Sequence, residues 1–128
     1  MNTKLIMMLS AIFLAAIGII FTFLPKEASA FIGISAEKSG QLLLQILGAL
    51  YFSFAMLNWM AKGAIIGGIY NKPIALANLT HFVIGALALL KAISNPHLYF
   101  ILPLAGVYSV FAILFGVIFF KHPDPEIK

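Results

Sequence analysis

Four apolar runs set the terms on which this chain can fold: Leu5–Leu24, Gln41–Ala61, Pro73–Leu90 and Tyr99–Phe120. Each is between 18 and 22 residues long, and none contains Asp, Glu, Lys or Arg. That is close to the length an α-helix needs to cross the ~30 Å hydrocarbon core of a bilayer, at about 1.5 Å per residue. Lipid offers no hydrogen-bond partners, so each run must satisfy its own backbone, and a helix does so. A transmembrane β-barrel requires short segments of alternating polarity, a pattern these runs lack. Hydrophobic residues form 62% of the chain and charged residues 9%, against about 25% charged in soluble domains. A water-soluble fold of 128 residues could not bury that much apolar surface. The expected fold is therefore all-α, one transmembrane domain over residues 1–128 arranged as an up-down-up-down four-helix bundle.

The first run also resembles a secretory signal, with Lys4 before it and Ala28–Ala30 ("ASA") after it. Its apolar stretch of 20 residues exceeds the usual ~7–15 of a signal core. Pro25, Lys26 and Glu27 then separate it from the small residues, so an uncleaved first span is the expectation. Four spans place both termini on one side. That side carries Lys4, Lys62, Lys72, Lys121 and Lys128, against Lys26, Lys38 and Lys91 on the other. The bias puts both termini in the cytoplasm. Trp59 and Tyr70 mark the inner edge with Phe119 and Phe120, and Tyr99 and Phe100 the outer one. Size and short loops fit a bacterial inner membrane.

The longest connection, Pro25–Gly40, contains "AFIGIS", readable as a small interfacial element or, the preferred reading, as a loop touching headgroups. In Lys62–Pro73 ("KGAIIGGIYNKP") the glycines read as a helix end; a phosphate loop would need a Gly-Lys-Ser/Thr ending that is missing. Pro103 belongs in a first helical turn, so the last regular helix should begin close to it, with Pro96 in the turn before. The tail "KHPDPEIK" reads as extended and solvated.

Helices in lipid associate by close packing, so small residues at helical spacing mark their seams. Such stripes are Ala11, Ala15, Gly18, Thr22; Gln41, Gln45, Gly48, Ala55 with Trp59; Asn78, His81, Gly85, Ala88, Ala92; and Ala105, Ser109, Ala112, Gly116. Counting depth from the inner boundary gives a polar layer of Asn58, Asn78, His81 and Tyr51, with Ser10 near Asn58 and Ser109 about one turn beyond His81. Gln41 and Gln45 form a separate patch nearer the outside. His81, Asn78, Asn58, Tyr51, Gln45 and Ser109 are thus the candidate ligand or polar-layer residues, and no catalytic residue is expected. Two readings compete at His81. It stitches helices together, or it lines a cavity and meets a ligand, ion or proton path.

The residues that are missing narrow the chemistry. Acids occur only at Glu27, Glu37, Asp124 and Glu126, outside every run. Antiport through a membrane carboxylate and a carboxylate–histidine pair are therefore not expected. The chain has no cysteine, which removes thiol redox chemistry and Cys-based zinc sites. His97 and His122 lie in loops on opposite sides, away from His81, so neither a metal nor another cofactor is expected. The single flanking lysines are anchors that snorkel to headgroups. They form no basic patch for nucleic acid.

"QILGALYFSFAMLNWMAKG" (Gln45–Gly63) followed by "PIALANLTHFVIGALALLK" (Pro73–Lys91) resembles the layout of small four-span bacterial membrane proteins of unassigned function. That resemblance brings no catalytic residue with it. The expected function is a non-enzymatic membrane protein, either an accessory or assembly subunit or a binder of lipid-like molecules. Its partners would be membrane lipids, a larger membrane complex or further copies of itself. The alternative is an oligomeric small-solute channel or transporter, with Asn58, Asn78 and His81 along its path. A membrane enzyme or redox subunit using His81 is the third option.

Overall fold

The computed structural model describes residues 1–34 and 37–122. They form α1 (Thr3–Phe23), α2 (Pro25–Ile32), α3 (Lys38–Ala61), α4 (Lys72–Ala92), a 3-10 segment (Pro96–Ile101) and α5 (Leu102–Phe120). Four helical stretches are long and apolar enough to cross a membrane: Thr3–Phe23, Lys38–Ala61, Lys72–Ala92 and Pro96–Phe120. Tertiary contacts gather into two units, Met1–Gly63 and Ala64–Lys128.

In the first unit, the Asn2 side chain caps α1 by accepting from the Leu5 N–H at 3.1 Å. α1 stops because Leu24 precedes Pro25; a proline disfavours helical backbone at the residue before it. Leu24 sits at φ −125°, ψ 49°, and Pro25 opens α2, where its missing N–H costs nothing. α2 therefore replaces part of the expected "AFIGIS" loop: Ala30, Phe31 and Ile32 are helical. Gly33 ends α2 in the left-handed region (φ 82°), with the Gly33 and Ile34 N–H groups both donating to the Ser29 carbonyl.

α1 and α3 pack antiparallel, since Ser10 meets Asn58, Gly18 meets Gly48 and Thr22 meets Gln45. The seam is tightest at the glycines. A methyl carbon placed on Gly48 would stand 2.6 Å from Thr22 Oγ1 and 2.9 Å from the Gly18 carbonyl oxygen. Ala11 and Gly18 of the expected α1 stripe are buried, as are Gly48 and Ala55 of α3. Gln45 and Trp59 are exposed. Lys62 Nζ lies 3.6 Å from the centre of the Trp59 ring, a cation–π contact at the end of α3.

The second unit opens with a turn rather than a helix end. α3 already stops at Ala61, and Gly67 and Tyr70 exchange backbone hydrogen bonds of 3.0 and 2.8 Å. Gly68 has φ 54°, and a Cβ there would collide with the His122 ring, so glycine is needed on both counts. α4 and α5 also run antiparallel: Leu79 lies against Gly116, Phe82 against Phe111 and Gly85 against Tyr108. As Pro103 implies, α5 begins at Leu102, and Tyr99–Ile101 belong to the 3-10 segment rather than to the α-helix. The Asn95 side chain caps that segment by accepting from the His97 N–H at 3.1 Å.

The inner face of α5 departs from the expected small-residue stripe. Its buried residues are Ala105, Tyr108, Phe111, Phe115 and Ile118, while Ser109, Ala112 and Gly116 are half-buried. The cause lies in α4, whose buried face is Ala75, Asn78, Phe82 and Ala86, with Gly85 beside it. Gly85 leaves room for the Tyr108 ring, whereas at Phe82 the seam is ring on ring. Phe82 stacks on Phe111 (centroids 4.9 Å apart) and on Phe115 (5.6 Å). The expectation for the tail falls mostly on residues 123–128, outside the described residues.

Candidate functional site

Helical spacing sets the local geometry of the second unit. Asn78, His81 and Gly85 lie three and four residues apart on α4, so they share one face. That face meets Tyr108 of α5. His81 Nε2 is 3.1 Å from the Tyr108 hydroxyl. Either group can donate, depending on the imidazole tautomer, so the bond survives in both. The His81 ring also meets Phe82 edge-on, with centroids 5.0 Å apart, and tilts against Tyr108 at 5.4 Å. The histidine thus meets a neutral phenol and a phenylalanine ring. Asn78 is fully buried and donates from Nδ2 to the Ile74 carbonyl one turn back, at 3.0 Å. Ser109 likewise donates to the Ala105 carbonyl at 2.8 Å, within its own helix.

In the first unit, Asn58 is fully buried and donates from Nδ2 to Ser10 Oγ at 3.0 Å. The Ser10 hydroxyl donates onward to the Met7 carbonyl at 2.9 Å. This relay joins α3 to α1. Tyr51 is half-buried, its ring set edge-on to Phe21 at 6.1 Å. Gln45 is exposed and reaches the Thr22 carbonyl only at 3.4 Å, a long contact worth little.

The six candidates therefore play unequal parts. His81 and Asn58 each bond across a helix pair, and Asn78 and Ser109 each bond a carbonyl of their own helix. Tyr51 packs by its ring, and Gln45 lies at the surface. The sequence pattern alone does not single out Tyr108. Its signal was the glycine at position 85: a gap on one helix needs a ring on the other. Among the described residues no buried side-chain nitrogen or oxygen lacks a hydrogen-bond partner. Also among them, no three His, Asp or Glu side chains gather where they could hold a metal ion.

Asn58→Leu should lower the stability of the first unit by roughly 0.6–2 kcal/mol, the range for polar contacts between membrane helices. A double-mutant cycle with Ser10→Ala, read by unfolding in mixed micelles, checks it. Strict additivity of the two changes would show that the bond couples nothing.

A second feature of the first unit is concave and apolar. Where α1 gives way to α2, a groove of about 320 Å³ is lined by Ile20, Phe21 and Leu24 on one wall. Glu27, Ala28, Phe31 and Ile32 of α2 form the other. Spacings of one and four residues put each set on one helical face. Phe31 is 73% exposed beside it.

Compared with protein-family models, with curated proteins and with solved structures, the chain matches none.

Proposed function

We propose that this chain is a non-enzymatic integral membrane protein that binds lipid-like molecules. In this reading its four apolar helices cross a bacterial cytoplasmic membrane up-down-up-down as one bundle, with both termini inside. The observation that carries the binding reading is the groove between α1 and α2, an apolar concavity whose seven lining residues include six apolar ones. The polar side chains favour the non-enzymatic part. His81 is engaged with Tyr108 and Asn58 with Ser10, so both serve to join helices. The lysine bias and the Lys62–Trp59 contact support the orientation, since such pairs suit the headgroup level.

Mass spectrometry of the gently extracted protein tests the proposal. A lipid or other long-chain apolar molecule should be retained at about one per chain. A reproducible larger protein partner with no small molecule would favour the accessory-subunit reading instead. Flux through proteoliposomes that disappears in His81→Phe would establish the channel alternative.

A further inference from the structure

We propose that the turn between α3 and α4, together with the end of α5, forms a surface that docks on anionic phospholipid headgroups. Ile65, Ile69 and Tyr70 enter the boundary between headgroups and acyl chains, and Lys72 and Lys121 meet the lipid phosphates. This rests on the reading that the apolar helices cross a bilayer, and it needs nothing from the α1–α2 groove. Three observations converge on it.

The first is what the turn exposes. Turns are mostly built from Gly, Pro, Asn, Asp and Ser. This one has Gly67, Gly68 and Asn71, but it also carries isoleucines and a tyrosine on its outside. Ile65 is 51% exposed, Ile69 73% and Tyr70 48%. The headgroup level accepts such side chains, and it suits the amphipathic ring of tyrosine in particular.

The second is that these side chains are held out rather than left loose. Gly67 and Tyr70 exchange two backbone hydrogen bonds. Asn71, at φ 48°, donates from its side chain to the Ile65 carbonyl and so closes the loop. Ile66, between the exposed isoleucines, is 2% exposed and anchors the turn. A surface already ordered loses less freedom when it docks.

The third is where the turn sits and what charge surrounds it. Gly68 lies against the His122 ring, just past the end of α5. Lys72 opens α4, and its Nζ is 6.0 Å from the centre of the Phe119 ring. Phe119 meets Phe120 edge-on, with centroids 4.9 Å apart. Lys72, Phe120 and Lys121 are all exposed. Apolar and cationic side chains therefore share one end of the α4–α5 pair, where two candidate spans reach their polar limit. The described residues of the second unit include no Asp or Glu to compete for these lysines; Asp124 and Glu126 lie outside them. In the orientation proposed above this is the cytoplasmic end, and an anionic leaflet attracts lysines placed there.

The test uses the full chain in vesicles of equal phosphatidylcholine and phosphatidylglycerol with identical acyl chains. The chain has no cysteine, so one introduced thiol takes one nitroxide. Ile69→Cys reports the turn, and Ile113→Cys reports the exposed middle of α5. Relaxation of each label by oxygen, which concentrates in lipid, is compared with relaxation by a water-soluble nickel chelate. The Ile113 label should report deep hydrocarbon and the Ile69 label the boundary beneath the headgroups. After mild extraction, native mass spectrometry counts the lipids retained by unlabelled chains. The wild type should retain phosphatidylglycerol in excess. Lys72→Gln and Lys121→Gln should each lower that excess about fivefold, the factor one lysine near an anionic surface supplies. Lys91→Gln removes the same charge about 28 Å away along α4, at about 1.5 Å per residue, and should lower it far less. All three lysines are exposed, so these variants should keep the wild-type melting temperature. An Ile69 label open to the chelate beside an Ile113 label in hydrocarbon overturns the docking surface alone. Equal losses in Lys72→Gln, Lys121→Gln and Lys91→Gln overturn it too. An Ile113 label open to the chelate overturns the membrane-spanning reading as well.

Discussion

Gly48→Leu is expected to destabilise the α1–α3 pair by about 3 kcal/mol or more, toward the upper end of what overpacking costs. The backbones touch there with nothing between them. A Cβ on Gly48 would already lie 2.6 Å from Thr22 Oγ1 and 2.9 Å from both the Thr22 nitrogen and the Gly18 oxygen. One on Gly18 would lie 2.8 Å from the Phe52 nitrogen. These obstacles are mostly backbone, which cannot rotate away. In lipid no hydrophobic drive pushes helices together, so losing close contact removes the main source of their attraction. Even Gly48→Ala should cost roughly 1–3 kcal/mol, although alanine favours a helix over glycine by about 1 kcal/mol. Gly106 in α5 provides the control, since no heavy atom lies within 4 Å of a Cβ built there. Gly106→Ala should be neutral or stabilising by up to about 1 kcal/mol. Unfolding in mixed micelles reads all three. A Gly48→Leu protein as stable as the wild type would mean that the helices do not meet at this point.

The sequence reading reached the helices more surely than their faces. Run length and the absence of charge placed the four apolar stretches within a few residues of their observed ends, because both are properties of single segments. Pro103 likewise located the start of α5, and Pro25 explains where α1 ends, since proline acts on its own backbone. The faces depend on what lies opposite. Small residues on α1 and α3 do meet each other, as the stripe rule implies. On α5 the same rule selected Ser109, Ala112 and Gly116, while Tyr108, Phe111 and Phe115 face inward. One helix alone could not show this, because the room for Tyr108 is made by Gly85 of α4, and Phe111 and Phe115 pack on Phe82 of α4. The polar residues follow the same division. That Asn58 and His81 lie among other polar groups was readable from helical depth, but whether His81 joins helices or lines a cavity was not. That the partners are Ser10 and Tyr108 required the register of each helix pair. The α1–α2 groove is invisible in the sequence, because a groove needs two walls and their register comes only with the fold.

The register of α4 on α5 leads to the second large effect, at Gly85. A Cβ on Gly85 would overlap the Tyr108 ring, with the Cε1 and Cδ1 atoms in its way. Tyr108 is 2% exposed and held between His81 and Phe82, so the ring has little freedom to retreat. Gly85→Val is therefore expected to displace it, breaking the His81–Tyr108 hydrogen bond and loosening the stack around Phe82. The loss should be about 1–3 kcal/mol, as for other overpacked sites. Tyr108→Phe calibrates the polar part. It keeps the ring and removes only the hydroxyl, so it should cost roughly 0.6–2 kcal/mol. Tyr108→Ala removes the obstacle itself. If the clash is the cause, Gly85→Val adds less damage in a Tyr108→Ala background than in the wild type, and the two changes are less than additive. Full additivity would place the effect of Gly85 elsewhere. The same cycle bears on His81. Once Tyr108→Phe has removed the shared bond, His81→Phe should cost less than it does in the wild type, and the two changes should be less than additive. Full additivity would show that the imidazole and the hydroxyl are not coupled.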